Sequence, residues 1–181
     1  MRALALLFLA TAAHAQTGDW TALEPALGVA ASGGFGPEWS AGPTGTARVE
    51  APAYGGHARV AFRVSEYAPQ DESLPEFLAV AASLGWGPGA EVGGVAVRGG
   101  LQAGVLHLRF DDDGLFGGNL QNETELAVGV WARVESTTPV RVWAEATVER
   151  VAFARAETIG VVGGGLAVRL RTPRWLVGVL R

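Results

Sequence analysis

The chain has none of several residue types from which functional sites are commonly built. It contains no cysteine and no lysine, so all 14 of its basic residues are arginines. The absence of cysteine excludes thiol catalysis, thiolate metal sites and a small scaffold held by disulfides. A formal net charge of −4, with no cluster of basic residues, also argues against a nucleic-acid partner.

Long apolar runs are also scarce. The mean hydropathy is positive, at +0.22. Beyond the N-terminal segment, however, no stretch approaches the ~18 consecutive apolar residues of a transmembrane helix. A helical membrane protein is therefore excluded, and the apolar residues must be interleaved with polar ones.

The N-terminus has the pattern of an export signal. An apolar run over residues 3–13 follows a basic start and leads into Ala13-His14-Ala15, which has the small residues of a signal-peptidase site. We predict a signal peptide over residues 1–15, cleaved before Gln16, and a single β-barrel domain over residues 16–181. An uncleaved membrane anchor is the alternative, but the apolar run is short for a ~20-residue span.

Beyond the signal, apolar and polar residues alternate with a period of two. Val60, Phe62 and Val64 alternate with Arg59 and Arg63, for example, and this is the period of a β-strand rather than of a helix. Turn signals separate such segments. The predicted strands cover residues 25–35, 45–53, 57–67, 76–86, 91–98, 101–110, 122–135, 139–153, 158–171 and 174–181.

The predicted turns keep the apolar faces of their flanking strands together. Gly55-Gly56 and the segment 136–138 both pair apolar residues with apolar residues, and a one-residue slip would reverse every face. The register through the second turn also places Arg133 beside Arg141. That pair of like charges needs partners from neighbouring strands.

The number of strands depends on Gly99-Gly100. A hairpin there gives ten strands, whereas the residues from Val95 to Val105 keep one parity through the two glycines, as one long strand would. Without that hairpin nine strands remain, and bacterial single-chain barrels have even numbers. We predict an all-β, antiparallel, up-and-down transmembrane β-barrel of ten strands, with eight as the alternative.

The chemistry of the two strand faces indicates a membrane barrel. One face is mostly Val, Leu, Ala and Phe, and the other carries both signs of charge among small residues. A soluble barrel would instead bury large apolar residues and expose solvating groups. The predicted lipid-facing residues are Val49, Phe62, Val130, Val142 and Val168. The predicted charge network of the lumen comprises Arg59, Arg63, Glu125, Arg133, Arg141, Glu145, Glu149 and Arg169.

Aromatic residues near the predicted strand ends are typical of the girdles that membrane barrels place at both interfaces. Trp131 and Trp143 differ, because their parity puts them in the lumen, where they would fill space. The girdle candidates are Trp20, Phe35, Trp39, Tyr54, Tyr67, Phe77, Trp86, Phe110, Phe153 and Trp175.

With this pattern the chain resembles small bacterial outer-membrane β-barrel proteins of the OmpA-transmembrane and OmpX-like kind, within the porin-like superfamily. The resemblance covers the mature chain and depends on pattern rather than on a diagnostic motif. It implies a bacterial outer-membrane location, contact with outer-membrane lipid, and folding by the barrel-assembly machinery. That machinery reads a terminal strand that ends in an aromatic residue, whereas this chain ends in Arg181.

No residue set forms a recognisable catalytic centre. The mature chain has two histidines, His57 and His107, and lacks the serine elbow of a hydrolase. An outward apolar face over residues 106–110 would place His107 and Arg109 in the lumen, provided that a bulge lies near Gly104. We predict no enzymatic activity and no cofactor.

One acidic segment has the residue types of a divalent-cation site. Asp111-Asp112-Asp113-Gly114 supplies carboxylates but lacks the ligand spacing of a calcium loop. We interpret it as a solvated turn and predict no metal.

Function is therefore expected to reside in the loops rather than in the lumen. The first hypothesis is a structural or binding barrel of the outer membrane, with recognition by residues 36–43, 68–75 and 111–121. A narrow barrel leaves little room for water, so paired charges are predicted to plug it. The alternatives are a small-solute channel and an exported soluble β-barrel that binds a lipid or other ligand. The oligomeric state stays open.

Overall fold

The structure is a computed structural model that describes residues 22–71, 74–110, 122–152 and 157–171. The predicted signal peptide, the predicted strand over residues 174–181 and the acidic segment Asp111–Gly114 lie outside the described residues. Within the described ranges, no helix has the length and apolar character needed to cross a membrane.

The described residues form one antiparallel sheet, as the alternation predicted. Val, Ala and Phe supply the outward positions of its strands, and charged residues supply many inward ones. In chain order the strands are β1 (Ala22–Ser32), β2 (Trp39–Ala53), β3 (Gly56–Pro69), β4 (Phe77–Gly87), β5 (Gly89–Val92), β6 (Val95–Phe110), β7 (Glu123–Ser136), β8 (Val140–Val151), β9 (Thr158–Val168) and β10 (Leu170–Arg171).

The sheet closes into a barrel because β1 pairs with β9 as well as with β2. Two short strands continue longer ones rather than adding to the wall. Trp86 of β4 lies opposite Leu101 and Gly89 of β5 lies opposite Arg98, which is one uninterrupted register along β6. Pro88 separates β4 from β5, since proline has no N–H for the ladder.

In the same way, β10 continues β9 along β1 without a change of register. The barrel wall therefore has eight strands. The prediction of ten strands is wrong, and the eight-strand alternative is confirmed.

The predicted hairpin at Gly99-Gly100 is wrong, because β6 runs straight through both glycines. The turn lies at Gly93-Gly94 instead, where φ is 59° and 85° and where Val92 pairs with Val95. A two-residue turn with two positive φ angles matches the twist of the flanking strands, and glycine adopts those angles without steric cost.

Two hairpins have a different register from the predicted one but keep the predicted faces. The β2–β3 turn lies at Tyr54-Gly55. In the β7–β8 pair, Arg133 lies opposite Glu145 rather than beside Arg141, a shift of four positions. An even shift keeps every side chain on its face, since side chains alternate with a period of two. This shift replaces a pair of like charges with a pair of opposite charges.

The connections differ between the two ends of the barrel. At one end, called here the short-turn end, strands are joined by residues 54–55, 93–94 and 137–139. At the other, the long-loop end, the joins are residues 33–38, 70–76, 111–122 and 152–157. All three loop segments predicted to carry recognition therefore contribute to the same end.

The strands are steeply tilted. If the paired residues are followed from Glu24 through each strand in turn, the path returns to β1 at Gly34. The sheet therefore closes with a stagger of ten residues. An eight-strand barrel with this stagger has strands inclined by about 40°, and its interior is only wide enough to be filled by side chains. What fills it decides what the barrel can do.

Candidate functional site

The half of the lumen nearer the short-turn end is filled by ionised side chains, here called the charged layer. Arg133 stands at its centre with only 2% of its surface exposed. Its guanidinium donates two hydrogen bonds to Glu50 and lies 3.0 Å from Glu135 and 3.5 Å from Glu145. Burial of a charge is tolerated only with such multiple pairing, because desolvation costs several kcal/mol per ion.

Two further arginines extend the charged layer toward the short-turn end. Arg98 contacts Glu24 at 2.6 Å, Glu50 at 3.0 Å and Glu135 at 3.2 Å. Arg141 contacts Glu135 at 2.6 Å and Glu24 at 3.5 Å. The carboxylates are thus shared between arginines, so removing one of them affects several cations at once.

The ion pairs between β3 and β8 cross the barrel. Arg59 donates two hydrogen bonds of 3.0 Å to Glu145, and Arg63 donates one of 2.7 Å to Glu149. Gln102 also donates to Glu149, at 2.5 Å. Since β3 and β8 face each other across the eight-strand wall, these side chains obstruct the lumen.

Two tryptophans pack among the arginines, as their parity predicted. Arg48 lies over the ring of Trp143, with 4.2 Å between the guanidinium carbon and the ring centroid. Arg59 and Arg133 lie 4.4 and 5.5 Å from the Trp131 centroid. Cation–π contacts of this kind are stronger in a desolvated site than at an exposed one.

The half of the lumen nearer the long-loop end is mostly apolar, and its aromatic part is here called the aromatic layer. Phe77 is its centre: its ring centroid lies 4.7 Å from that of Tyr67, 5.5 Å from those of Phe35 and Trp39, and 5.2 Å from that of Phe110. These five side chains are between 1% and 7% exposed. The girdle prediction is wrong for all five, because they seal the lumen instead of facing lipid.

Along β6, apolar residues change from the outer face to the inner face near Gly104, although the strand has no bulge there. Leu106, Leu108 and Phe110 point inward, and His107 and Arg109 point outward. The pairing of β6 with both neighbours is continuous past Gly104, so the predicted bulge and the lumen position of His107 and Arg109 are wrong. The alternation gave the wrong face for these residues because the lumen changes from charged to mostly apolar between the short-turn end and the long-loop end.

The structure brings six of the eight predicted lumen charges into contact with an oppositely charged lumen side chain: Arg59, Arg63, Arg133, Arg141, Glu145 and Glu149. Glu125 is buried in the apolar half, outside the charged layer, and has no ion pair with a described residue. Arg169 is exposed rather than buried in the lumen.

The predicted charge network lacked five members of the charged layer: Glu24, Arg48, Glu50, Arg98 and Glu135. The false hairpin at Gly99-Gly100 put Arg98 at the end of a strand. Arg98 and Gln102 have the same parity along β6, and this parity is the signal that places Arg98 on the inner face. The five predicted lipid-facing residues all lie on the outer face, where they are 41% to 63% exposed. Their contact with lipid stays a prediction.

Neither a protein-family model nor a curated protein matches the chain. Solved structures do. Neisserial surface protein A (NspA) is 16% identical, with a TM-score of 0.54 over 84% of this chain and 98% of its own. Ail, the attachment invasion locus protein of Yersinia pestis, is 11% identical, with a TM-score of 0.54 over 84% of this chain and 100% of its own.

A second structure of Ail, in complex with the heparin analogue sucrose octasulfate, gives a TM-score of 0.55 at 11% identity, again over 84% and 100% of the two chains. The chain therefore has the fold of the small bacterial outer-membrane β-barrels.

Proposed function

We propose that this protein spans the outer membrane as a closed and internally sealed barrel, and that it acts through the connections at its long-loop end. The observation that carries the proposal is the filling of the lumen by two successive layers, one charged and one aromatic. A barrel filled in this way has a rigid wall and no open path, which leaves its surface as the functional part. No reaction is expected of it.

The outer face supports a membrane position. On β6, outward residues are apolar or small from Val95 to Val105 and polar at His107 and Arg109. At about 3.4 Å per residue and a tilt of about 40°, this apolar stretch has a height of about 25 Å. Outer-membrane barrels carry an apolar band of about that height. The aromatic layer and the polar outward residues above Val105 would then stand outside the bilayer.

The connections support an orientation. Barrels of bacterial outer membranes have short turns on the periplasmic side and longer loops on the extracellular side. By that rule, the long-loop end of this barrel faces outward and the charged layer lies toward the periplasm. The barrel-assembly machinery would be its partner in folding, and outer-membrane lipid its permanent surroundings.

A small-solute channel is less well supported. The cross-barrel pairs of Arg59 with Glu145 and Arg63 with Glu149 block the lumen. The aromatic cluster around Phe77 then closes the apolar end. A solute would have to displace both layers, and the loss of several buried ion pairs would oppose it.

The composition of the long connections indicates the charge of a partner. The four joins at the long-loop end contain one basic residue, Arg155, against eight acidic ones: Glu38, Asp71, Glu72, Glu76, Asp111, Asp112, Asp113 and Glu157. Electrostatic complementarity then favours a cationic partner surface. Ail, by contrast, has been solved with a polysulfated ligand, and such a ligand suits this chain poorly.

Cell fractionation tests the membrane position. The protein should remain with outer membranes after high-salt and carbonate washes and should be released only by detergent. Recovery in the soluble periplasmic fraction would overturn the proposal and favour the soluble ligand-binding barrel. An intact-cell protease experiment tests the orientation, because the long connections should be cut and the short turns protected.

Binding to charged surfaces tests the partner chemistry separately. Protein in lipid nanodiscs should bind a cationic resin, with affinity that falls steeply as salt rises, and should pass through immobilised heparin. A variant with Asp111, Asp112 and Asp113 changed to Asn should bind the cationic resin more weakly. Retention on heparin by the unmodified protein would contradict the inference about partner charge.

A further inference from the structure

The two layers that fill the lumen leave a cavity of about 50 Å³ between them. Its lining includes Thr46, Arg48, Arg59, Gln102 and Trp143. A volume of about 10–15 Å³ admits one water-sized particle, so the cavity has room for a few. Most of the lining surface is apolar, but the lining also contains buried polar atoms without partners, and these make a dry cavity unfavourable.

Arg48 is the least satisfied cation beside this cavity. The residue is only 6% exposed. Its guanidinium nitrogens approach the carboxylates of Glu50, Glu135 and Glu145 no closer than 3.6, 3.7 and 3.8 Å, and it donates no hydrogen bond to a described residue. The ring of Trp143 covers its face but accepts none of its in-plane N–H groups.

The carboxylates near Arg48 are already held by other arginines. Glu50 is bound by Arg133 and Arg98, Glu135 by Arg141 at 2.6 Å, and Glu145 by Arg59 at 3.0 Å. Each of these carboxylates makes a shorter contact with another arginine than with Arg48. Arg48 is therefore left without a hydrogen bond to a carboxylate, beside the cavity that it lines.

Other polar atoms of the lining are also buried without a partner among the described residues. They are the Thr46 hydroxyl, the Arg59 Nε–H, the Trp143 Nε1–H and the Gln102 carbonyl oxygen. Three of these four groups can donate a hydrogen bond. The cavity lining therefore has three buried donors without a protein acceptor, besides Arg48.

The side chains around the cavity also carry more positive than negative charge. The cavity lining has three arginines, Arg48, Arg59 and Arg63, against two glutamates, Glu145 and Glu149. Among the described residues, the charged layer has six buried arginines against five glutamates, one of which, Glu145, is 12% exposed. A further buried glutamate, Glu125, lies outside this layer, nearer the long-loop end. Glu91, a further carboxylate within reach of it, is 55% exposed and lies 3.7 Å from Arg141. Within the charged layer itself, the excess is one positive charge.

We propose that the cavity is a binding site for a small monovalent anion of halide size. The Arg48 guanidinium supplies the charge, and the Thr46 hydroxyl and the Arg59 Nε–H act as further donors. A water beside the anion donates to the Gln102 carbonyl. Water alone would satisfy the donors, but it would leave the excess charge buried without a counter-ion. The site depends on the folded barrel and not on which membrane holds it.

Bromide tests the site directly, because it replaces chloride and scatters anomalously. Crystals of the whole protein, purified and grown in sodium bromide, should give an anomalous peak beside the Arg48 guanidinium. The peak should be absent from R48M and present in the matched control R109M, whose arginine lies on the outer face. A cavity that contains only water in bromide-grown crystals of the unmodified protein would overturn the proposal.

A second measurement does not require R48M to fold. The unfolding equilibrium of the unmodified protein is measured as chloride replaces gluconate at constant ionic strength. Once the site is saturated, each tenfold rise in chloride should lower the unfolding constant about tenfold, because the anion binds only the folded state. An unfolding constant that does not respond to chloride contradicts the proposal.

Discussion

Truncation of Glu145 tests whether the charged layer holds the barrel together. Glu145 accepts two hydrogen bonds of 3.0 Å from Arg59 and also lies within 4 Å of Arg133 and Arg48. The variant E145A leaves Arg59 without its carboxylate in a buried position, where that arginine is 5% exposed. Arg133 keeps Glu50 and Glu135, so most of the cost falls on Arg59.

The magnitude follows from these contacts. Removing one partner of a fully buried ion pair costs ~3–5 kcal/mol. The Glu145 side chain is 12% exposed and borders the cavity, so water can hydrate part of the freed guanidinium. We therefore expect the free energy of unfolding to fall by ~2–4 kcal/mol. Urea unfolding in lipid vesicles, followed by tryptophan fluorescence, measures this value.

Two comparisons make this prediction specific. E91A removes the same side chain from a position that is 55% exposed and 3.7 Å from Arg141, so it should cost less than 1 kcal/mol. The double variant R59M/E145M should recover much of the stability lost in E145A, because an apolar pair leaves no buried charge unpaired. The reasoning is refuted if E145A and E91A are equally stable, or if the double variant is less stable than E145A.

Three other predictions concern the outer face, the sealed lumen and the aromatic layer. V142R, which places a charge on the outer face where Val142 is 63% exposed, should cost ~2–4 kcal/mol in lipid vesicles, and a neutral result would show that this face does not contact lipid. The unmodified protein should give no steady conductance in a planar bilayer, and large ion-selective currents would instead favour a channel. F77A should lower the free energy of unfolding by ~3–5 kcal/mol, since Phe77 is 3% exposed and packs against four aromatic rings; a loss below 1 kcal/mol would show that the aromatic layer is loosely packed.

The alternation of apolar and polar residues was sufficient to predict the closed antiparallel sheet and the outward face. Side chains in a strand alternate strictly, so Val49, Phe62 and Val142 fall on one face in any register that shifts by an even number. The same rule makes the faces robust to an error in the turns. The β2–β3 and β7–β8 registers were predicted wrongly, yet their inward and outward residues were not exchanged.

The number of strands could be established only from the pairing of the strands in the structure. Gly99-Gly100 and Gly93-Gly94 are both double glycines, and local sequence does not say which of the two turns the chain. Only Gly93-Gly94 has the two positive φ angles of a tight hairpin. At Gly99 and Gly100 an added Cβ would instead lie 3.1 and 2.2 Å from backbone atoms of the neighbouring strands. Those glycines therefore permit close contact between strands within the wall.

Which charges pair was also decided by the tertiary structure. The partners Arg59 and Glu145 are 86 residues apart in sequence and meet only because β3 and β8 face each other in an eight-strand barrel. The stagger of the barrel then sets which inward residues share a level. A count of the lumen charges shows that the buried arginines need carboxylate partners, but it does not show which glutamate pairs with which arginine.

Alternation is a local property of the chain, and it was enough to predict a β-barrel with an apolar outer face and charges on the inner one. It did not determine that the interior changes from charged to aromatic between Arg63 and Tyr67 on β3. On β6 near the long-loop end, the inward residues are apolar and the outward ones polar, which is the reverse of the pattern nearer the short-turn end. Only the closed barrel, by setting which strands and levels lie opposite one another, decided that five distant aromatic residues form one seal.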